Sequence, residues 1–98
     1  MLLREKITVD SPIREEFMPW HVYILECKDG KLYTGITNNL ERRIKAHNRG
    51  RGCRFTRYRT PVTLRYSEQT SSRPKALIRE TGIKRLARKK KLELILSS

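Results

Sequence analysis

Two alternating, β-rich segments joined by a short turn constrain the fold of this chain most strongly. Residues 21–27 read HVYILEC and residues 31–37 read KLYTGIT, and both alternate as half-buried strands do. The Lys-Asp-Gly turn at 28–30 suits a three-residue loop whose last position is left-handed, a conformation that glycine tolerates. The sequence therefore predicts an antiparallel hairpin with Cys27 opposite Lys31.

This register sets the positions of two tyrosines. Tyr23 would lie opposite Gly35 and Leu25 opposite Tyr33, so both tyrosines would share one face of the hairpin. A two-residue Asp-Gly turn would instead pair Tyr23 with Ile36 and place the tyrosines on opposite faces. The first register is preferred because it explains Gly35, where a missing side chain lets the Tyr23 hydroxyl and a ligand approach the backbone.

A helix is predicted directly after the hairpin. Asn39 is a favourable N-cap for a helix from Leu40 to about His47, with Leu40 and Ile44 on its apolar face. Arg43 and His47 are one turn apart and share a face that borders this apolar stripe. A single arginine or histidine in a basic protein is usually only surface, but this pair follows the tyrosine hairpin.

The rest of the chain predicts a basic loop, a third strand and two helices. The loop covers residues 48–60, and Val62–Glu68 is rich in strand formers. Ser72 or Ser71 can cap the next helix, and Gly82 marks a kink or break before a last helix. We therefore expect an α+β fold with the order β-β-α-β-α-α.

Length and cysteine content restrict the class of protein. The chain has 98 residues, enough for one domain with a small core, and contains no apolar run that could span a membrane and no secretory signal pattern. Cys27 and Cys53 form no Cys-x-x-Cys pair, so neither a zinc site nor a disulfide scaffold is indicated. These features predict a reduced, cytoplasmic protein.

Charge divides the chain into two parts. Residues 1–17 carry three basic and four acidic side chains, so the formal charge of +13 becomes +14 on the remainder. We expect 1–17 to be a poorly ordered leader or a product of start-site choice, and 18–98 to be the domain. A body this basic can bind a polyanion without reading its sequence, although a solvated basic surface is the alternative.

Basic side chains in the loop and the last helix are candidates for contact with nucleic acid. Arginine can bind phosphates through its planar fork, and Phe55 or Tyr58 could stack on unpaired bases. The alternative is a flexible solvated loop whose aromatics enter the core. The candidates are Arg49, Arg51, Arg54, Arg57, Arg59, Lys89 and Lys90.

Glu80 falls on the predicted apolar stripe of its helix, together with Ala76 and Ile83. A carboxylate at such a position must be paired, protonated or bound to a metal. An ion pair with one of the many arginines is the structural alternative to a metal ligand.

Taken together, these residues resemble the GIY-YIG nuclease superfamily, in particular its small single-domain bacterial members, which are similar to the nuclease domain of structure-specific resolvases. The signature triplets stand at residues 21–23, His-Val-Tyr, and 33–35, Tyr-Thr-Gly. Arg43 and His47 follow at the spacing of the family's helix, and Glu80 stands at the later helix. The resemblance covers about residues 19–96.

The resemblance implies a three-stranded antiparallel sheet flanked by helices and hydrolysis of DNA phosphodiesters with one divalent metal, usually Mg²⁺, with Mn²⁺ as a substitute. Tyr23 would help to activate the attacking water, and Tyr33 would assist or orient it. Arg43 would hold the scissile phosphate, and His47 would relay protons or bind phosphate. Glu80 would bind the metal.

The expected function is therefore a metal-dependent DNA endonuclease selective for branched, damaged or single-stranded DNA, acting in DNA repair or recombination, with an unidentified protein partner possible. The alternative is a non-catalytic nucleic-acid-binding module that keeps the fold. The retention of every ionisable member of the motif favours the enzyme, while charge alone does not separate the two.

Overall fold

The computed structural model describes residues 19–97, and the predicted leader at 1–17 lies outside them. The described part contains three strands and three helices, which confirms the predicted α+β class and element order. In chain order these are β1 (Trp20–Glu26), β2 (Leu32–Thr37), α1 (Leu40–Asn48), β3 (Thr63–Thr70), α2 (Arg73–Lys84) and α3 (Arg88–Ser97).

The hairpin has the register that its turn predicts. Tyr23 pairs with Gly35 and Leu25 with Tyr33 in the antiparallel β1–β2 ladder. Gly30 has a φ of +85°, and its amide donates to the Cys27 carbonyl oxygen at 2.9 Å. The left-handed glycine thus sets the pairing, and the pairing places both tyrosines on one face.

The sheet has the order β2-β1-β3, so β1 is central and both of its faces are covered. Val22 and Ile24 point to one face and pack with α2 and α3, whereas Tyr23 and Leu25 point to the other and pack with α1. All four side chains have no exposed surface. One short segment therefore supplies the centre of both apolar clusters.

Side-chain caps define the starts of α1 and α2. The Asn39 side chain accepts a hydrogen bond from the Arg42 amide at 3.1 Å, and the Ser72 hydroxyl accepts one from the Lys75 amide at 3.3 Å. These are the N-cap interactions expected for Asn and Ser, which satisfy amides that have no partner within the helix. The predicted cap at Asn39 is confirmed, and Ser72 rather than Ser71 caps α2.

Two predicted boundaries were wrong. Gly82 does not end α2, which continues to Lys84. The break between the two helices falls at residues 85–87. A glycine inside a helix costs only about 1 kcal/mol, and burial of the neighbouring Ile83 keeps this turn helical. The third strand is Thr63–Thr70 rather than the predicted Val62–Glu68.

The segment between α1 and β3 is held at both ends. The Asn48 side chain donates to the Val62 carbonyl oxygen at 3.3 Å and accepts from the Val62 amide at 2.7 Å. The Lys28 amide in the hairpin turn donates to the Arg59 carbonyl oxygen at 2.8 Å. The loop is therefore fixed against the sheet face that carries the tyrosines.

Candidate active site

Four side chains of the predicted site converge on the α1-facing side of the sheet. The His47 ring centroid lies 6.0 Å from that of Tyr23 and 5.2 Å from that of Tyr33. The two tyrosine centroids are 6.3 Å apart. Arg43 lies one turn before His47, and its guanidinium hydrogen-bonds with the Tyr23 hydroxyl. The hairpin register and the helix period thus bring together residues that are distant in sequence.

A hydrogen-bond chain runs through the imidazole. His47 Nε2 lies 3.0 Å from the Tyr23 hydroxyl, and His47 Nδ1 lies 2.7 Å from Thr56 Oγ1. The Thr56 hydroxyl donates to the Cys53 carbonyl oxygen at 3.4 Å, so its oxygen is left to accept from Nδ1–H. This pattern assigns the proton to Nδ1 and leaves Nε2 as the acceptor for Tyr23.

His47 is a neutral, sealed group. Its side chain has no exposed surface, and burial together with the nearby Arg43 charge lowers its pKa from the ordinary 6.5 to about 4. Both ring nitrogens already have protein partners. Of the two predicted roles, direct phosphate binding would need a free ring nitrogen, and both nitrogens are occupied here.

The two tyrosines differ in access to solvent. Tyr23 is fully buried, whereas Tyr33 is only partly buried. Burial raises the pKa of both hydroxyls, and for Tyr33 a hydrogen bond with Cys53 adds to the effect. Both are therefore neutral phenols at pH 7, and solvent reaches only Tyr33.

Two glycines allow this close packing. A Cβ atom placed on Gly35 would lie 2.6 Å from the Tyr23 hydroxyl oxygen, and one on Gly52 would lie 2.1 Å from His47 Nδ1. Both distances are shorter than real Cβ contacts. The Gly52 carbonyl oxygen also accepts a hydrogen bond of 2.8 Å from Arg43 Nη2. The role predicted for Gly35 agrees with this contact, and Gly52 plays the same part on the loop side.

Sequence reasoning missed Gly52, Cys53 and Thr56. Nothing in the sequence gave Gly52 a role in the site, and the loop has no period that would give Thr56 a direction. The Cys53 thiol contacts Thr56 Oγ1 at 3.6 Å. Burial alone would raise the pKa of Cys53, but hydrogen bonds with Thr56 and Tyr33 outweigh it and lower that pKa. Cys53 thus joins the hydrogen-bond chain at Thr56 and lies close to Tyr33.

Glu80 comes from a different element than the other four side chains. It belongs to α2, which packs through Ala76 and Ile83 on the opposite side of β1. Its side chain is 16% exposed and pairs with Lys84 Nζ at 3.3 Å, so its ion-pair partner is a lysine rather than an arginine. Its charge still reaches the centre, where it contributes to the raised pKa of Tyr23. Within residues 19–97, no three or more His, Cys, Asp or Glu side chains form a group that could hold a metal ion.

A cleft of about 270 Å³ borders Arg43 at the edge of β2. It lies beside the carboxyl end of that strand and the first two turns of α1, and it is open to solvent at an exposed edge of the sheet. Its lining residues are Trp20, Ile36, Thr37, Asn38, Arg42, Arg43 and Ala46.

The basic candidates are not equivalent. Arg59 pairs with Asp29 at 3.0 Å and lies 4.4 Å over the Phe55 ring, so it stabilises the loop. The Phe55 ring also stacks on Tyr33. Lys90 has a partly exposed partner in Glu93 at 3.5 Å. The candidates whose side chains are exposed and have no ion pair with another described residue are Arg49, Arg51, Arg54, Arg57 and Lys89.

The helices of the described region are too short and too polar to cross a membrane.

The fold and the tyrosine-histidine-arginine cluster define a known class of protein. Residues 19–93 match the family described as the GIY-YIG catalytic domain, and the chain belongs to that family, whose members are generally nucleases. The resemblance seen in the sequence is confirmed.

Relatives of similar length carry only a family number. UPF0213 protein CPE1444 of Clostridium perfringens is 57% identical over 77 residues, which cover 79% of this chain and 83% of the relative. UPF0213 protein VNG_2274C of Halobacterium salinarum is 51% identical over 71 residues, covering 72% and 92%. The solution NMR structure of UPF0213 protein BH0048 from Bacillus halodurans is 43% identical, with a TM-score of 0.55 and coverage of 83% and 86%.

Proposed function

We propose that this protein is a metal-dependent DNA endonuclease that hydrolyses phosphodiester bonds in branched, damaged or single-stranded DNA. The observation that carries the proposal is the buried Tyr23–His47–Thr56 hydrogen-bond chain beside Arg43, at the edge of a cleft. Burying polar groups is costly unless each has a partner, and here Tyr23, His47 and Thr56 satisfy one another next to a solvent-accessible cleft.

Arg43 is the residue that we propose binds the scissile phosphate. One of its terminal nitrogens donates to the Gly52 carbonyl oxygen, which fixes the plane of the guanidinium. The remaining N–H groups can donate to phosphate oxygens, and a fixed donor stabilises the added negative charge of the transition state. Because Arg43 lines the cleft, the phosphate can reach it without movement of the sheet.

Tyr33 rather than Tyr23 is proposed to contact the attacking water, since solvent reaches only Tyr33. The water oxygen forms a bond to phosphorus as the bond to the leaving oxygen breaks. The water proton passes to the Tyr33 oxygen while the Tyr33 hydroxyl proton moves to solvent, which reaches this tyrosine. The leaving oxygen takes a proton from solvent.

Tyr23 and His47 are proposed to act behind this step as positioning residues. Tyr23 hydrogen-bonds with the Arg43 guanidinium, and neutral His47 holds the Tyr23 hydroxyl through Nε2. This arrangement differs from the leading role expected for Tyr23, and complete burial of that tyrosine is the reason.

A divalent cation fits Glu80 as a single carboxylate ligand. Mg²⁺ in phosphoryl-transfer sites is commonly held by one or two carboxylates together with substrate phosphates and water, and Mn²⁺ accepts the same oxygen donors. The Lys84 partner of Glu80 is half exposed, so the pair is weak and can open. A bound metal would neutralise charge on the phosphate.

The exposed arginines of the loop are proposed to bind the DNA backbone. Arg54 and Arg57 are exposed and lie in the loop that contacts His47 through Thr56. Backbone contacts of this kind carry no sequence information, so we expect affinity to depend on salt and little on base sequence. A protein partner, cytoplasmic location and a role in DNA repair or recombination remain predictions.

Cleavage of a panel of DNA structures tests the proposal. Single-stranded, duplex, flap and four-way substrates would be incubated with Mg²⁺, Mn²⁺ or EDTA, and we expect cleavage only with metal. Glu80→Gln should remove cleavage and retain DNA binding. Glu93→Gln is the matched control, since Glu93 also pairs with a lysine but lies on α3 with an exposed side chain.

Two outcomes would contradict this function. A folded Glu80→Gln variant that cuts at the wild-type rate would refute the metal ligand. Wild-type protein that binds every substrate and cuts none would support the non-catalytic binding module instead. Thermal melts of each variant separate loss of chemistry from loss of fold.

A further inference from the structure

A second cleft, of about 220 Å³, lies at the other end of β2. Its floor is apolar, from Leu32 and Phe55, and its rim carries three cationic side chains from two separate elements. Lys31 comes from the end of the hairpin turn, and Arg88 and Lys91 come from the first turn of α3. None of the three forms an ion pair with another residue in the described range 19–97.

The position of this cleft relates it to the proposed catalytic centre. Phe55 stacks on Tyr33 with ring centroids 5.9 Å apart, so the cleft and the site share a wall. The first cleft is lined by Ile36 and the second by Leu32, four residues apart on the same edge strand. At a rise of about 3.3 Å per residue, the two clefts are separated by roughly 13 Å. Tyr33 and Gly35 lie between them.

Charge determines what can occupy the second cleft. Two of its cations stand at i and i+3 on α3 and therefore point to the same side of that helix. The nearby Asp29 carboxylate is already paired with Arg59, so the three cations leave an excess of positive charge that attracts an anion. An apolar floor suits a flat, weakly polar group such as a nucleobase. The Phe55 ring contacts Tyr33 and Arg59 but is still 37% exposed, so part of it can meet the ligand.

We infer that this cleft is a subsite for a flanking nucleotide of the substrate strand, with a phosphate held by Lys31, Arg88 and Lys91. The inference rests on the proposed DNA-cleaving function and extends it. The polynucleotide would run along the β2 edge from the second cleft to Arg43. The α3 residues that matter are then Arg88 and Lys91, whereas the sequence pointed to Lys89 and Lys90.

Interference by neutral phosphates tests the subsite. Fluorescein-labelled single-stranded DNA no longer than one binding site, so that a single register predominates, would carry one methylphosphonate at successive positions. It would be titrated in EDTA and followed by anisotropy. For the wild type, neutralising the phosphate held in the second cleft should weaken binding several-fold. In the double variant Arg88→Ala/Lys91→Ala, a methylphosphonate at this position should no longer weaken binding, while those at the other positions should have the same effect as in wild type. The matched control is Lys89→Ala/Lys90→Ala, which removes the same charge from the same helix.

The salt dependence of binding gives a second readout. The slope of log K against log salt should become shallower by about 0.7 for each single-strand phosphate contact that is lost. The subsite is refuted if Arg88→Ala/Lys91→Ala keeps the wild-type interference pattern, or if the control variant loses the same position. If the protein cleaves DNA but shows no such interference by a neutral phosphate, the subsite is refuted and the nuclease proposal stands. If the interference is seen but DNA is not cleaved, the phosphate-binding cleft is supported and the nuclease proposal is refuted.

Discussion

The two faces of β1 make an instructive contrast, because one strand serves both. The face toward α2 and α3 has an apolar centre, with Val22 and Ile24 packed on Ala76 and Ile83, and its hydrogen-bonded Tyr66, Glu68 and Arg79 lie toward its partly exposed side. The face toward α1 is a polar network built on Tyr23, whose hydroxyl lies 3.0 Å from His47. Both faces are fully buried along the central strand. Burial alone therefore does not distinguish a core from a site, whereas hydrogen-bonded, titratable groups do.

The largest effect on the α1 face is expected from Arg43→Ala. Loss of a fixed donor to the transition state should lower the cleavage rate by about 10²–10³-fold, with a smaller loss of DNA affinity. Arg42→Ala is the control, since Arg42 lines the same cleft, but its side chain is exposed whereas that of Arg43 is partly buried. Single-turnover rates would measure the difference, and equal losses in the two variants would remove the special role of Arg43.

On the opposite face, Ile24→Ala should act on stability. Removal of a fully buried aliphatic side chain leaves a cavity and costs about 2–5 kcal/mol. Chemical denaturation would give this loss, and the cleavage rate of the folded fraction should remain within a few-fold of wild type. A folded Ile24→Ala protein with no activity would show that the apolar face supports chemistry directly.

Acid should affect the α1 face through His47. Its folded pKa of about 4 lies below the ordinary 6.5, so the unfolded chain binds more protons between these values. Stability from this group is complete above pH 6.5 and declines as the pH falls toward 4, by up to about 3 kcal/mol. Denaturation at several pH values would give the free energy of unfolding, which should change more steeply with pH in wild type than in His47→Gln. An equal pH dependence in the two proteins would contradict the buried neutral imidazole.

Thr56→Val should disturb the site while leaving its shape. The change keeps the volume but leaves His47 Nδ1–H without an acceptor, at a cost of about 1–3 kcal/mol. Nitrogen chemical shifts of the imidazole should show a mixture of tautomers in Thr56→Val and a single one in wild type and Thr56→Ser. An unchanged tautomer in Thr56→Val would mean that Tyr23 alone fixes the ring.

The smallest expected effect contrasts two glycines. Gly82→Ala should raise stability by roughly 0.5–1 kcal/mol, because a Cβ there meets no atom within 4 Å and the position is inside a helix. Gly35→Ala should lower it, since the new Cβ would press on the Tyr23 hydroxyl. The melting temperature should rise in Gly82→Ala and fall in Gly35→Ala. A fall in Gly82→Ala would contradict the open space around that position.

Local rules made much of this structure predictable. The left-handed Gly30 fixed the hairpin register, Asn39 fixed the start of α1, and helical spacing placed Arg43 and His47 on one side. The position of the Thr56 side chain could not be predicted, because it depends on the path of the loop, which is held near α1 by the contact between Asn48 and Val62. Glu80 illustrates the limit: periodicity put it on the buried stripe of α2, but which face of the sheet α2 covers is a tertiary property.

The position of β2 also governs how the protein behaves in concentrated solution. An edge strand carries free peptide groups that can pair with a strand of another copy, which is a route to aggregation. The formal charge of +13 keeps copies apart at low ionic strength. Salt shortens the range of this repulsion to about 10 Å at 0.1 M. The ionic strength that releases a bound polyanion is therefore also the one that leaves this edge least protected.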